Sequence, residues 1–419
     1  MMPDGGRPAS APQAAKTAGI AADSYAAAAS PAILSICERC FDRLTGGSAL
    51  PGQAFNRLNI IGRDSGGCYI CRGVFNSLDA AALLPVEELK NWEYSTFWAG
   101  SRLEFGMLAR EEEVAALMDV EIGHSIKVEI NRELGLRIAS ITGREGKISS
   151  PDMLIIVDLP FMTYLLEPSS IFIYGRYRKY VRGIPQTKWP CRKCHGKGCS
   201  HCGGLGKMYE TSVEEIIAAP VIRETGGSSH YFHGMGREDI DAVMLGEGRP
   251  FILEISRPRR RYLDLEALEA TINAESKPRV EVSALRYSSK TEVVGLKAAT
   301  PSKSYVVRFR ILGKINKDKL VDVISEFSGK MIAQRTPLRV VHRRADVVRE
   351  RRLIDCRLLE FDGDEATVQV TAQSGTYIKE FVTGDEGRTV PNISGALGLE
   401  CRIVSLDVLE VSTGAGEQW

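Results

Sequence analysis

The sequence predicts an α+β protein, with a large C-terminal domain on a largely antiparallel mixed sheet and a smaller, cysteine-bearing α/β domain before it. Three observations carry that prediction. The chain has 419 residues, which at roughly 150 residues per domain implies two or three domains. Eight of its ten cysteines fall in C-x-x-C pairs confined to the first half. From Phe251 onward, strand-like and helix-like segments alternate, with one clear hairpin at Asp362-Gly-Asp-Glu365.

Taken in order, residues 1–32 are rich in Ala, Pro, Gly and Ser and are expected to form a disordered tail. Residues 33–75 hold the first two cysteine pairs, and residues 76–182 read as a mixed α/β unit. Within it, Glu111 to Ile141 carries helical patterning that Gly123 and Gly135 are expected to break into pieces. Met153–Leu159 reads as a buried strand and Ser170–Val181 as a half-exposed one. The last domain is expected over residues 183–419, beginning with a glycine-rich cysteine knuckle at 191–206. Ser212 followed by Glu215 is a capping-box start for a helix. Phe251–Ile255, Val280–Tyr287, Tyr305–Ile311 and Cys401–Val411 read as strands. Cys356–Phe361 and Ala366–Gln373 flank the hairpin turn. Leu263, Leu265, Leu268 and Ile272 mark one helix, and Leu320, Val323, Ile324 and Phe327 mark an amphipathic second.

The charge balance is 54 Lys+Arg against 53 Asp+Glu, a net of +1. That excludes a globally basic nucleic-acid wrapper and an acidic solvating tail, though local basic stripes can sit inside a neutral total. No apolar run approaches the roughly 18 residues of a membrane span. The best candidate, Met153 to Leu166, is interrupted by Asp158 and Pro160. The start of the chain lacks a charged segment leading into an apolar one, so a cytoplasmic protein without membrane partners is expected.

The cysteine pairs are Cys37/Cys40, Cys68/Cys71, Cys191/Cys194 and Cys199/Cys202. Two residues between cysteines let both sulfurs of a turn face one ion, and two such turns complete a tetrahedral Cys₄ zinc site. One structural zinc is expected from the first four cysteines and one from the last four. The rivals are a redox pair, for which no thioredoxin-like context exists, and cysteines that hold no metal. The gap of four residues between Cys194 and Cys199 is short for a zinc site. His195 and His201 are read as neighbours of the second site and not as ligands. Cys356 and Cys401 read as ordinary buried cysteines.

Four segments carry chemistry. They are His233-Gly-Met-Gly-Arg237-Glu-Asp239-Ile-Asp241, Lys303-Ser-Tyr305-Val-Val-Arg-Phe309, the arginine-dense stretch Arg335 to Arg352, and Gly375-Thr-Tyr377-Ile-Lys379-Glu-Phe381. Taken singly each is bland: a solvated acidic loop, sheet aromatics, a lone lysine, a loop histidine. The arginine stretch opposes Arg335, Arg339, His342, Arg343, Arg344, Arg349, Arg351 and Arg352 with only Asp346 and Glu350, which points to phosphate contacts. Gly203-Gly-Leu-Gly-Lys207 is not a phosphate loop, because Met208 stands where Ser or Thr is needed.

Together these segments resemble the pseudouridine synthases. From about residue 33 to the C-terminus the chain resembles the archaeal tRNA pseudouridine synthase family that acts on positions 54 and 55 of the TΨC arm. The most specific stretches are Gly236–Asp241, Gly246–Glu254, Val341–Asp346 and Gly375–Thr389. The resemblance implies a zinc-bearing, THUMP-containing N-terminal region and a pseudouridine synthase catalytic domain. It implies Asp239 as the catalytic aspartate, with Tyr305, Tyr377, Lys379 and Arg237 at the target nucleotide and Asp241 as a neighbouring acid. A Lys379 close to Asp239 would favour the ionised carboxylate. The implied partner is tRNA, with no obligatory protein partner. Isomerising uridine involves no redox change and no external group, so no organic cofactor is expected. Two alternatives compete. One is a non-catalytic, zinc-stabilised RNA-binding protein, which has no need of a carboxylate facing phosphates. The other is a THUMP-type methyltransferase or thiolation enzyme, whose glycine fingerprints are missing.

Overall fold

The structure is a computed structural model that describes residues 33–46 and 57–412. The tail expected at 1–32 lies outside the described residues. In chain order the elements begin with β1 (Leu34–Cys37), α1 (Glu38–Thr45), β2 (Leu58–Ile61), α2 (Leu78–Leu83), α3 (Val86–Leu89), β3 (Thr96–Arg102), α4 (Met107–Met118) and α5 (Ile126–Thr142). Next come β4 (Glu145–Gly146), β5 (Met153–Asp158), β6 (Thr163–Pro168), β7 (Ile171–Lys179), α6 (Val213–Thr225), β8 (Ser229–Gly234), β9 (Met244–Ser256), α7 (Leu265–Ser276) and β10 (Val280–Ser288). The chain closes with α8 (Lys290–Ala298), β11 (Lys303–Leu312), α9 (Lys317–Ser325), β12 (Met331–Arg335), β13 (Val348–Phe361), β14 (Glu365–Ala372), α10 (Ile378–Thr383), β15 (Thr389–Val390), α11 (Ile393–Leu397) and β16 (Glu400–Val411).

Two compact units emerge: residues 33–77 with 105–128, and residues 78–104 with 129–412. In the first, β1 and β2 pair in parallel. Arg39 of α1 grips Asp64 through two hydrogen bonds of 2.6 and 3.0 Å and lies 4.4 Å from the centre of the Phe75 ring. These contacts tie the helix that carries Cys40 to the turn that carries Cys68 and Cys71. The buried Glu111 of α4 pairs with Arg43 and accepts the first backbone N–H of α5, at Ile126, at 2.8 Å. A carboxylate there satisfies an orphan donor at a helix start.

In the second unit a four-stranded sheet has the order β4-β3-β5-β6, with β3 and β5 parallel. Gly135 lies inside α5 and does not break it. A Cβ at that position would stand 3.9 Å from the Ala99 side chain on β3, so tertiary packing outweighs the propensity cost of about 1 kcal/mol.

The ten-stranded sheet runs β10-β7-β9-β16-β11-β14-β13-β12-β15, with β8 also paired to β9. Its ladders are antiparallel apart from a single parallel bridge between β16 and β9. The sequence placed 170–181 with the preceding unit. In the structure β7 is hydrogen-bonded to β9 and β10, so the large sheet begins at Ile171. The hairpin β13–β14, the helix α9 and the Ser212 cap on Glu215 form as expected.

Two hydrophobic cores cover this sheet. One joins β7 to β10 with α6, α7 and α8, and the other joins β11 to β14 and β16 with α9, α10 and α11. Tyr305 packs against both, so it marks the seam between them. On the short helix α10, Ile378, Phe381 and Val382 are buried. That i, i+3, i+4 stripe leaves Lys379 on another face. Phe381 meets Phe327 edge-on at 4.9 Å, and truncating such a buried ring costs about 3–5 kcal/mol.

Candidate active site

The loop from Met235 to Val243, between β8 and β9, is held from beneath by the buried Glu238. Tyr177 donates to its two oxygens at 3.0 and 2.8 Å, and Arg249 donates at 2.9 Å. The Lys179 ammonium lies 3.8 Å away. Arg249 also donates to the Met235 carbonyl at 2.8 Å, and Gln186 donates to the Gly236 carbonyl at 2.9 Å. Lys179 donates to the carbonyls of Asp239 and Ile240, each at 3.4 Å. Burial lowers the Lys179 pKa, the response of a cation taken out of water. The backbone before and after Asp239 is therefore pinned by side chains of β7 and β9.

With Glu238 turned inward, Asp239 faces a cleft of about 420 Å³ that Tyr305, Tyr377, Lys379, Arg237, Arg339 and Lys303 also line. Its carboxylate lies 3.3 Å from Lys379 Nζ and 3.4 Å from Arg339 Nη1. Lys379 also donates to both oxygens of Asp241 at 3.1 and 2.9 Å. Burial opposes ionisation of Asp241, but the hydrogen bond and charge of Lys379 outweigh it and hold that carboxyl below its ordinary range. Tyr305 is deeply placed, and burial raises its pKa. The Tyr377 backbone N–H donates to Gln334 Oε1 at 2.9 Å, and its hydroxyl accepts from Arg344 at 2.8 Å. Arg237 lies 5.5 Å from the centre of the Trp189 ring.

The fold thus brings Arg237, Asp239, Tyr305, Tyr377 and Lys379 into one cleft, and of the arginines in the arginine-dense stretch only Arg339 and Arg344 line it among the described residues. The cleft also holds residues that the sequence does not mark as part of it. Arg339 was read as a phosphate contact, yet it donates to Glu380 at 2.6 Å and faces Asp239. Glu238 and Lys303 carry no role that the sequence alone assigns. Nothing in local spacing distinguishes them, because their partners come from other strands. His233, read as a loop residue, stands on β8 with its Nε2 3.1 Å from Glu254.

The cysteines gather into two tetrads, each with all sulfurs within 4.8 Å of one another. The first is Cys37, Cys40, Cys68 and Cys71, and the second is Cys191, Cys194, Cys199 and Cys202. Cys37 and Cys71 Sγ lie 3.7 Å apart in the first, and in the second Cys191–Cys199, Cys194–Cys202 and Cys199–Cys202 lie 3.8 to 3.9 Å apart. Thiolates 2.3 Å from one tetrahedral ion stand about 3.8 Å apart, so both donor sets fit a metal ion. In the second, backbone N–H groups of Gly198, Cys199 and Gly206 point at sulfur at 3.2 to 3.3 Å, as they do around charged thiolates. His195 and His201 belong to neither tetrad.

Residues 172–412 match the family described as Pus10, C-terminal, and residues 84–158 match the Pus10 THUMP domain, archaeal. A tRNA pseudouridine synthase Pus10 of Methanothermobacter marburgensis is 46% identical over 84% of this chain and 87% of its own length. Its namesakes from Methanothrix thermoacetophila and Archaeoglobus fulgidus are 42% and 41% identical, over 86% and 82% of this chain and 79% and 95% of their own lengths. With family matches across both parts and relatives aligned along most of their length, the chain belongs to the Pus10 family.

Proposed function

We propose that this protein isomerises uridine to pseudouridine in tRNA, at position 54, position 55 or both of the TΨC arm, with Asp239 as the catalytic aspartate. One observation carries the reading. The Asp239 carboxylate lies in a cleft between two cations, 3.3 and 3.4 Å away, with Tyr305 and Tyr377 beside it. A base extruded from its stack meets the flat faces of the tyrosines there. Lys379 and Arg339 fix the carboxylate against the ribose, and Arg237 and Arg344 supply positive charge at the cleft's opening for phosphates. A binding protein without turnover has no use for a carboxylate in that position.

Zinc is the ion we assign to both tetrads, in a structural role, since four thiolates at tetrahedral spacing select it. Reduced thiols at both sites suit the cytoplasm. Among the described residues no helix is long and apolar enough to cross a membrane. We assign 33–75 as the metal module, the THUMP-like region within 76–182 to holding tRNA, and the domain expected over 183–419, whose sheet also takes in β7, to catalysis. The test is a tRNA transcript incubated with purified protein and no added cofactor, followed by mapping of pseudouridine. Turnover by the Asp239→Asn variant would end the catalytic assignment.

A further inference from the structure

Lys303 opens β11, two residues before Tyr305, and lines the same cleft as Asp239. The other cations of the cleft are engaged. Arg249 holds Glu238, Arg339 holds Glu380, Arg344 meets the Tyr377 hydroxyl, Lys379 meets both aspartates, and Arg237 lies over Trp189. The backbone of Lys303 belongs to the β11 ladders, but its ammonium has no hydrogen bond or ion pair among the described residues. A Cβ at Gly236 would stand 2.9 Å from its Nζ and 3.4 Å from Arg249 Nη1. The ammonium therefore lies directly beneath the glycine turn that leads into Asp239.

Lys303 is half-buried, and an ammonium partly withdrawn from water without a partner is costly unless a ligand completes it. The charged groups facing it are Arg249 from β9 and Glu238 from the loop, while Asp239, Tyr305 and Lys379 line the same cleft. Burial and then Arg249 push the Lys303 pKa down to about 8, with Glu238 opposing. Arg344, by contrast, is exposed. An extruded nucleotide enters base first, so the deep cation meets the base and the exposed ones meet phosphate.

We propose that Lys303 donates a hydrogen bond to a carbonyl oxygen of the target uracil and stabilises the negative charge that develops there. This rests on the uridine-isomerising reading above. When the C1′–N1 bond breaks, its electron pair leaves with N1 and spreads onto O2 and O4. C5 then bonds to C1′, C5 loses one proton and N1 gains one, so atoms and charge balance without an external reagent. Lys303 keeps its protons throughout. A donor-only group aimed at a developing oxyanion acts more strongly in the transition state than in the ground state.

Lys303→Met tests this, with single-turnover rate, KM for a tRNA transcript and thermal melting followed across pH. The rate falls roughly 10- to 100-fold, the worth of one charged donor at a developing oxyanion. KM stays within about threefold, because no phosphate contact is lost. The unaltered protein loses rate above pH about 8 as the ammonium deprotonates, and the variant lacks that decline. The variant melts no lower than the parent at neutral pH. A lysine whose folded pKa lies below its unfolded value costs stability while protonated, and that cost fades as pH rises past about 8. Wild-type turnover by the variant would overturn the proposal. So would a loss confined to KM with a shallower salt slope, or a lower melting point with the alkaline decline retained. Absence of pseudouridine with the unaltered protein would instead overturn the functional reading itself.

Discussion

Replacing Glu238 by Gln should unfold the active-site loop more than it changes any atom that meets RNA. The Glu238 side chain is fully buried and accepts from Tyr177 and Arg249, with Lys179 3.8 Å away. The amide keeps one acceptor oxygen and turns a donor toward groups that are themselves donors. It also leaves the buried Arg249 and Lys179 without a counter-charge. Removing one member of a buried pair costs about 3–5 kcal/mol. Asp239→Asn, one residue on, should cost less than about 1 kcal/mol, because that carboxylate is 38% exposed and its ion pairs are screened. Denaturant unfolding measures both. The two variants should both lose turnover, one with its stability and the other without. A cycle with Arg249→Met supplies the control. If the ion pair is the cause, the double variant should be more stable than the sum of the single losses by about 2 kcal/mol or more. Additive losses, or a Glu238→Gln protein within about 1 kcal/mol of the parent, would refute the argument that this network holds the loop.

Elemental analysis should find two zinc equivalents per chain, and Cys191→Ser should remove one; a single equivalent in the parent would leave one tetrad empty. Stripping either ion should unfold its own module, seen as lost amide protection confined to that segment, since metal affinity at such sites is folding free energy. Asp241→Asn should reduce turnover far less than Asp239→Asn, because Lys379 remains paired to Asp239 at 3.3 Å; equal losses in tRNA assays would erase the distinction between the two acids. Arg351→Ala with Arg352→Ala should weaken tRNA affinity and make the log K against log salt slope shallower by roughly 0.7 to 0.9 per lost phosphate contact. Arg344→Ala should lower kcat as well, because its guanidinium positions the Tyr377 hydroxyl at 2.8 Å; an effect on KM alone would return Arg344 to the phosphate-binding set.

Much of this fold was legible because the relevant signals are local. The Ser212 to Glu215 cap, the α9 stripe and the turn at Asp362 to Glu365 each depend on residues within about two helical turns of each other. Cysteine spacing works the same way, since each C-x-x-C turn presents two sulfurs by itself. What local pattern could not reveal was partnership. Ser170–Val181 has the alternation of a half-exposed strand wherever it is placed, and only its ladders with β9 and β10 assign it to the large sheet. Gly135 is a helix breaker by propensity and a close-packing residue against Ala99.

The same limit governs the site. Glu238 and Asp239 are adjacent acids of nearly equal chemistry, and no composition or spacing rule says which one meets water. Their fates diverge because Tyr177 and Arg249, on strands paired across β7 and β9, capture the first and leave the second facing Lys379 and Arg339. The neutral net charge has a similar origin. The acids that offset the arginines are not spread evenly over the surface: Glu238, Glu380 and Asp346 each hold a particular arginine in place. An arginine count therefore overstates the charge available to phosphate, and the cations that matter for chemistry are those whose partners sit inside the cleft. Lys303 is set apart by having none among the described residues, and an incoming uracil oxygen is the acceptor its position calls for.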